Sequence, residues 1–210
     1  MKPSSTANSG AELSTVDRVV VESELSATLH RYCRGLDRRD SRLLDGIFWP
    51  DSTVRYSSAD DISGPDFVSQ ILPTFERRGI EMTHHMIGNV LTRIWAHVAY
   101  SESYLRAFHR VVPPGKQPYD LIIGGRFQDR FEQRNGDWKI ARRVLVFDWF
   151  RECADAADWT VEPRASDLNF TTAVIGSPGR GPWSEFEDLM SGVHHSARET
   201  ALEAEASHGS

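Results

Sequence analysis

At about Ile80 the spacing of apolar residues changes from a helical to an alternating period, and this change restricts the fold more than any other feature of the chain. Downstream, "EMTHHMIGNVLTRIWA", "VAYSESYLRAFHRVV", "YDLIIGGRFQDRFEQR" and "DWKIARRVLVFDWF" alternate over long runs and read as four strands. Asn135-Gly136 is the two-residue hairpin signal of a type I′ turn, and Pro113-Pro114-Gly115 marks a longer loop, so consecutive strands form an antiparallel meander. Gly124-Gly125 inside a strand predicts the bulge or bend that a curling sheet requires. Helices first and a bent sheet second give an α+β cone, in which three N-terminal helices pack on the concave face of a strongly curved antiparallel sheet.

Before the change, Leu25, Leu29, Tyr32 and Leu36 recur at helical spacing, and Gly35 reads as an end signal for that helix. A second helix, "SRLLDGIFW", follows Asp40 as its cap and is stopped at Pro50-Asp51. "STVRYSS" reads as a short strand. "GPDFVSQILPTFERRG" reads as a third helix with its stripe at Phe67, Ile71 and Phe75 and a possible kink at Pro73. Residues 1–15 are expected to be a disordered arm, 16–150 the folded domain, and 151–210 an extension whose last part is mobile.

Composition narrows the function. A chain of 210 residues, 40% of them hydrophobic, builds a real core without disulfides or a structural metal. The formal charge of −6 is spread along the chain, which argues against a nucleic-acid groove. Cys33 and Cys153 belong to no CxxC or Cys/His pattern. No apolar run has transmembrane length, and "MKPSSTANSGAELST" lacks the apolar stretch of a signal peptide, so the expectation is a cytoplasmic protein with no membrane partner.

The chemistry-bearing candidates are few. On an alternating strand His85 and Asn89 share a face with Ile87 and Leu91, while His84 and Met86 take the other, so one of the adjacent histidines faces the helices. A histidine beside a carboxylate in an apolar cup titrates near neutrality, and the carboxylate decides which ring nitrogen is free. Asp37, just past Gly35, is the candidate partner; its alternative is a pair with Arg38 or Arg39, or a turn cap. On a continuous helix Tyr32 and Asp37 would diverge by about 140°, whereas a chain turning at Gly35 brings both to one cavity. In "ARRVLVF" either Arg142 or Arg143 could face inward as a cation awaiting an anion, and parity alone does not choose. His84, His85, His97 and His109 match no metal-ligand spacing. A Gly-x-Ser-x-Gly elbow and a phosphate-cradling glycine loop are both missing from the sequence. Phe48, Trp49, Asn89, Leu145, Phe147 and Trp149 are the residues expected to shape a pocket for a bulky aromatic or polycyclic ligand.

Three segments, "YCRGLDRRDSRLLDGIFWPDSTV", "THHMIGN" and "NGDWKIARRVLVFDW", resemble the SnoaL-like branch of the nuclear transport factor 2-like superfamily over about residues 17–150. The branch includes cofactor-free lyases, among them bile-acid 7α-dehydratase, hexachlorocyclohexane dehydrochlorinase and scytalone dehydratase, which share a pocket His–Asp pair. The resemblance implies Asp37 and His85 as the dyad, Tyr32 as an acid or hydrogen-bond donor and Arg143 as the cation on the last strand. It implies no cofactor and permits C–O, C–Cl or formaldehyde-releasing C–C cleavage. It also implies a hydrophobic small-molecule substrate. The superfamily contains non-catalytic binding domains and β subunits of ring-hydroxylating dioxygenases as well, which is the competing expectation. The broad outer face of a curled sheet adds the expectation of a homodimer or homotrimer.

Overall fold

The computed structural model describes residues 13–56 and 60–154. The expected arm and extension fall almost wholly outside these residues; where they do not, Thr15 already opens the first helix and residues 151–154 continue the last strand.

Helix α1, Thr15–Arg38, begins where the Ser14 hydroxyl accepts from the Asp17 N–H, a capping contact of 3.1 Å. Its stripe of Leu25, Leu29, Tyr32 and Leu36 is buried. Gly35 does not end it. The helix continues to Arg38 and is closed by Arg39 in the left-handed region at φ 55°. Gly35 is needed for close approach instead: a Cβ there would lie 2.6 Å from Leu44 Cδ2 of α2, Ser41–Leu44. That second helix is much shorter than its apolar content suggested, because Gly46 at φ 75° turns the chain into strand β1, Phe48–Tyr56. Pro50 sits within a register shift between Phe48 and Thr53, where the ladder is already interrupted.

Strand β2, Ile62–Ser63, leads into α3, Gly64–Arg77, which runs through Pro73. Strands β3 (Ile80–Trp95), β4 (Val98–Val111), β5 (Tyr119–Arg134) and β6 (Asp137–Ala154) follow as the meander. Asn135 and Gly136 have φ 55° and 92°, as a type I′ turn requires. The order β2-β1-β6-β5-β4-β3 makes a six-stranded sheet. It is mixed rather than purely antiparallel: α3 carries the chain from one edge to the other, so β1 lies parallel to β6. Bulges break the register between Gly124 and Gly125 and between Ile87 and Val90. The core lies between α1, α3 and the inner face of this sheet, an α+β arrangement of helices packed on a mixed sheet. No helix among the described residues is long and apolar enough to cross a membrane.

Gly79 joins α3 to β3 at φ +67°, and a Cβ there would meet the Val112 carbonyl oxygen at 2.3 Å, whereas Gly115 at φ +70° has open space around it. Gly115→Ala is expected to cost about 1–2 kcal/mol, the left-handed penalty alone. Gly79→Ala should cost clearly more, because a backbone oxygen cannot step aside. Urea unfolding of the two variants measures the difference.

Candidate active site

The last turn of α1 and the first half of β3 meet through one carboxylate. Asp37 Oδ1 accepts from His85 Nδ1 at 2.6 Å and from the Thr83 hydroxyl at 3.0 Å, while Oδ2 accepts the His85 backbone N–H at 2.9 Å. The ring and its carboxylate are largely buried, at 6% and 14% side-chain exposure. Three donors converge on this one carboxylate and fix the imidazole with Nδ1–H toward Asp37. His85 Nε2 is thereby left as the basic atom, and His109 Nε2 lies 3.5 Å from it.

Both rings line a chamber of about 60 Å³ whose other walls are Leu36, Ile71, Phe75, Leu105, Ala107, Ile123, Phe127, Leu145 and Phe147, with the Tyr56 phenol as the remaining polar group. Six of these residues, Tyr56, Ile71, Phe75, His109, Ile123 and Phe147, also wall a larger vestibule of about 740 Å³ between α3 and the sheet. The chamber has room for about two waters, and the vestibule is in the range of small-molecule pockets. Burial, the nearby His85 and the Arg39 guanidinium together push the His109 ring down to about 3, against a pull upward from Asp37. His109 is therefore neutral at physiological pH.

Tyr32 does not reach the chamber. Because α1 stays helical through Asp37, the two side chains diverge; Tyr32 is fully buried behind Tyr56, their hydroxyls 2.9 Å apart. Burial raises both phenols above their ordinary value, so Tyr56 is present as a neutral donor. Arg143 does face inward, which settles the parity between it and Arg142, but it is not waiting for an anion. Its Nε and Nη2 each contact Asp129 at 2.7 Å across the β5–β6 ladder, and neither side chain is exposed. Its guanidinium lies 4.0 Å from the Phe127 ring centre and 4.3 Å from that of Tyr32. Burial pushes the Asp129 carboxyl up, and the guanidinium opposes that shift. This bidentate ion pair is part of the wall behind the chamber.

Of the expected pocket residues, Leu145 and Phe147 line the chamber. Phe48 is core, edge-on to Tyr32. Trp49 donates to the Glu132 carbonyl with its ring beside Arg134 and Lys139, away from the cavity. Trp149 lies on the outer face against Gly124 and Arg106. Asn89 is exposed because the bulge after Ile87 shifts the alternation: Val90, Thr92 and Ile94 point inward instead of Asn89 and Leu91. His84 is exposed on the other face from His85. Reading the sequence missed Tyr56, Thr83 and the placement of His109 and Asp129, although each has inward parity on its strand. Among the described residues no three His, Cys, Asp or Glu side chains are grouped to hold a metal ion.

The family model described as the SnoaL-like domain matches residues 17–144, and the chain belongs to that family. An uncharacterized protein of Mycobacterium tuberculosis is 29% identical over 126 residues, 58% of this chain and 81% of that one. The hexachlorocyclohexane dehydrochlorinase LinA-type3 of Novosphingobium barchaimii superposes with a TM-score of 0.62 at 17% identity, over 71% of this chain and 100% of its own. A scytalone dehydratase candidate from Novosphingobium aromaticivorans gives 0.58 at 21% identity, over 69% and 99%. At these identities the two structures establish likeness of fold.

Two stability predictions follow from the buried groups. Asp129→Ala leaves the Arg143 cation uncompensated and should cost about 3–5 kcal/mol, whereas the double change Asp129→Leu with Arg143→Met should restore much of that loss in chemical denaturation. His109 binds its proton only near pH 3 when folded but near its ordinary 6.5 when unfolded. The unfolded chain thus holds more protons between those values, so stability falls as pH drops through that window. His109→Phe should flatten this fall in unfolding curves taken between pH 7 and 4.

Proposed function

We propose that this SnoaL-like protein is a cofactor-independent lyase that eliminates across a C–O, C–Cl or C–C bond of a bulky hydrophobic, ring-bearing small molecule. The observation that carries this reading is an imidazole, fixed by a buried carboxylate, with its basic nitrogen at an apolar chamber whose other polar side chains, among the described residues, are Tyr56 and His109. Among the described residues the chamber walls supply no serine, threonine or cysteine nucleophile, which favours proton transfer over covalent catalysis.

In the proposed step His85 Nε2 removes a proton from the substrate. The pair of electrons released forms the new π bond, and the leaving group departs with the electrons of its own bond. Asp37 stabilises the imidazolium through the Nδ1–H contact, and it also keeps the ring in the tautomer that leaves Nε2 free. Where hydroxide leaves, the imidazolium returns its proton and water is released. Where formaldehyde leaves, the proton removed is that of a hydroxyl, whose electrons form the formaldehyde C=O; the electrons of the broken C–C bond stay with the ring-bearing fragment, and the imidazolium returns its proton to that carbon. Tyr56 donates a hydrogen bond to the carbonyl or leaving oxygen, backed by Tyr32. His109, held neutral by burial, sits within reach of the same Nε2 and takes part in steering that proton.

The roles of Arg143 and Asp129 in this reading are structural, and Tyr56 takes the position at the chamber first expected of Tyr32. His85→Ala and Asp37→Asn should each lower kcat by about 10²–10⁴-fold, the usual contribution of a positioned base, with circular dichroism unchanged. A turnover screen of purified protein against steroid, chlorinated and diarylpropane compounds, with no cofactor added, supplies the substrate. Near-normal rates in both variants, or ligand binding with no turnover in any compound class, would point to the binding-domain alternative.

A further inference from the structure

The vestibule is not uniformly apolar, and its charges have one sign. Among the described residues its lining includes Arg77 and Arg78 at the C-terminal end of α3 and no aspartate or glutamate. This is a local reversal in a chain whose formal charge is −6. Both arginines are exposed. Arg77 is steadied by a 2.8 Å contact from its Nη2 to the Thr74 hydroxyl, itself a vestibule residue, and neither guanidinium is paired with a carboxylate among the described residues. The opposite end differs. Among the described residues the chamber lining itself carries no arginine, lysine or acid; behind it stand the Asp37 carboxylate at His85 and the Arg39 guanidinium on the far side of Phe75.

We infer that the substrate is an amphiphilic anion: an apolar, ring-bearing body with one anionic group, which enters ring first and leaves its anion at Arg77 and Arg78. This rests on the lyase reading for the word substrate, while the binding preference itself does not. An anion carried at the reacting end would be driven into an apolar chamber against Asp37, at a large desolvation cost. An anion at the trailing end stays partly solvated between two guanidinium groups. The cationic rim also raises the local concentration of such molecules at the entrance. One polarity therefore fixes orientation, bringing the uncharged end to His85. Favourable placement of cations near a helix C-terminus explains why arginine is tolerated there, but not why the vestibule lacks acids.

The test uses two fluorescent probes of similar shape, anionic 1-anilinonaphthalene-8-sulfonate and neutral N-phenyl-1-naphthylamine, titrated against the full chain at low ionic strength. The anion is expected to bind about five- to tenfold more tightly. In Arg77→Gln with Arg78→Gln that preference should vanish while affinity for the neutral probe stays the same, and Arg77→Glu with Arg78→Glu should reverse it. Arg93→Gln, on the outer side of the sheet, should change nothing. An anion preference that survives the glutamine pair, or that disappears with Arg93→Gln instead, overturns the inference. Because the readout is binding, it stands or falls separately from the effect of His85→Ala on turnover, so loss of the lyase reading and loss of this one are distinguishable.

Discussion

The grip of Asp37 on β3 is the contact on which the rest of the site depends. One carboxylate receives a ring N–H, a hydroxyl and a backbone N–H from two residues of the same strand. It is at once a tertiary clasp between helix and sheet and the device that orients the imidazole. The backbone contact matters as much as the ring contact, because it sets the height of His85 relative to α1 before any side chain chooses a rotamer. The cap at Arg39 contributes in turn: its Nη2 donates to the Ile80 carbonyl at 2.8 Å, tying the helix end to the first residue of the strand. Two short stretches of chain, the end of α1 and the start of β3, are thus fastened at both ends of the segment that carries the dyad.

Behind the chamber stands a second polar arrangement with a different task. Asp129 and Arg143 face each other across adjacent strands, and aromatic rings of Tyr32, Phe48 and Phe127 surround the guanidinium. A fully buried pair of this kind adds little net stability compared with a hydrocarbon replacement, but it is costly to break. Its consequence is specificity of arrangement. Tyr32 must lie over the guanidinium, which leaves its hydroxyl directed at Tyr56 and places the latter at the chamber wall. The cation on the last strand therefore acts on the site through ring placement rather than by touching a ligand.

Much of this was legible in the sequence, and the failures share causes. The period change near Ile80 identified the meander, and the Asn135-Gly136 turn was readable from two residues. Asp37 and His85 were candidates by position and strand parity, and the resemblance to the SnoaL-like branch is what paired them. What the sequence could not show was long-range geometry. Parity on β3 was counted straight through a bulge after Ile87, which put Asn89 on the wrong face. Gly35 was read by its conformational freedom when its small size was the point, so Tyr32 and Asp37 were assigned to one cavity. Parity left Arg142 and Arg143 level and only the resemblance singled out Arg143, while its anion, Asp129, lies on a neighbouring strand and has no local signature. Phe48, Trp49 and Trp149 were grouped with Leu145 and Phe147 on hydrophobicity alone, which does not distinguish core, outer face and chamber.

The arrangement of charge around the cavity carries a further consequence for catalysis. Neutral His109 beside His85 is compatible with a transient imidazolium, since a second permanent cation at 3.5 Å would oppose its formation. Asp37 already supplies the countercharge that the imidazolium requires, at a distance fixed before substrate arrives. The floor of the chamber is thus balanced for the appearance of one positive charge and has no provision for an additional negative one. The vestibule, walled by apolar side chains with arginines at the end of α3, provides for the reverse. In the proposed reading, placing the two at different ends of adjoining cavities lets one carboxylate and one imidazole work in a largely apolar interior without neutralising the groups proposed to recognise the substrate.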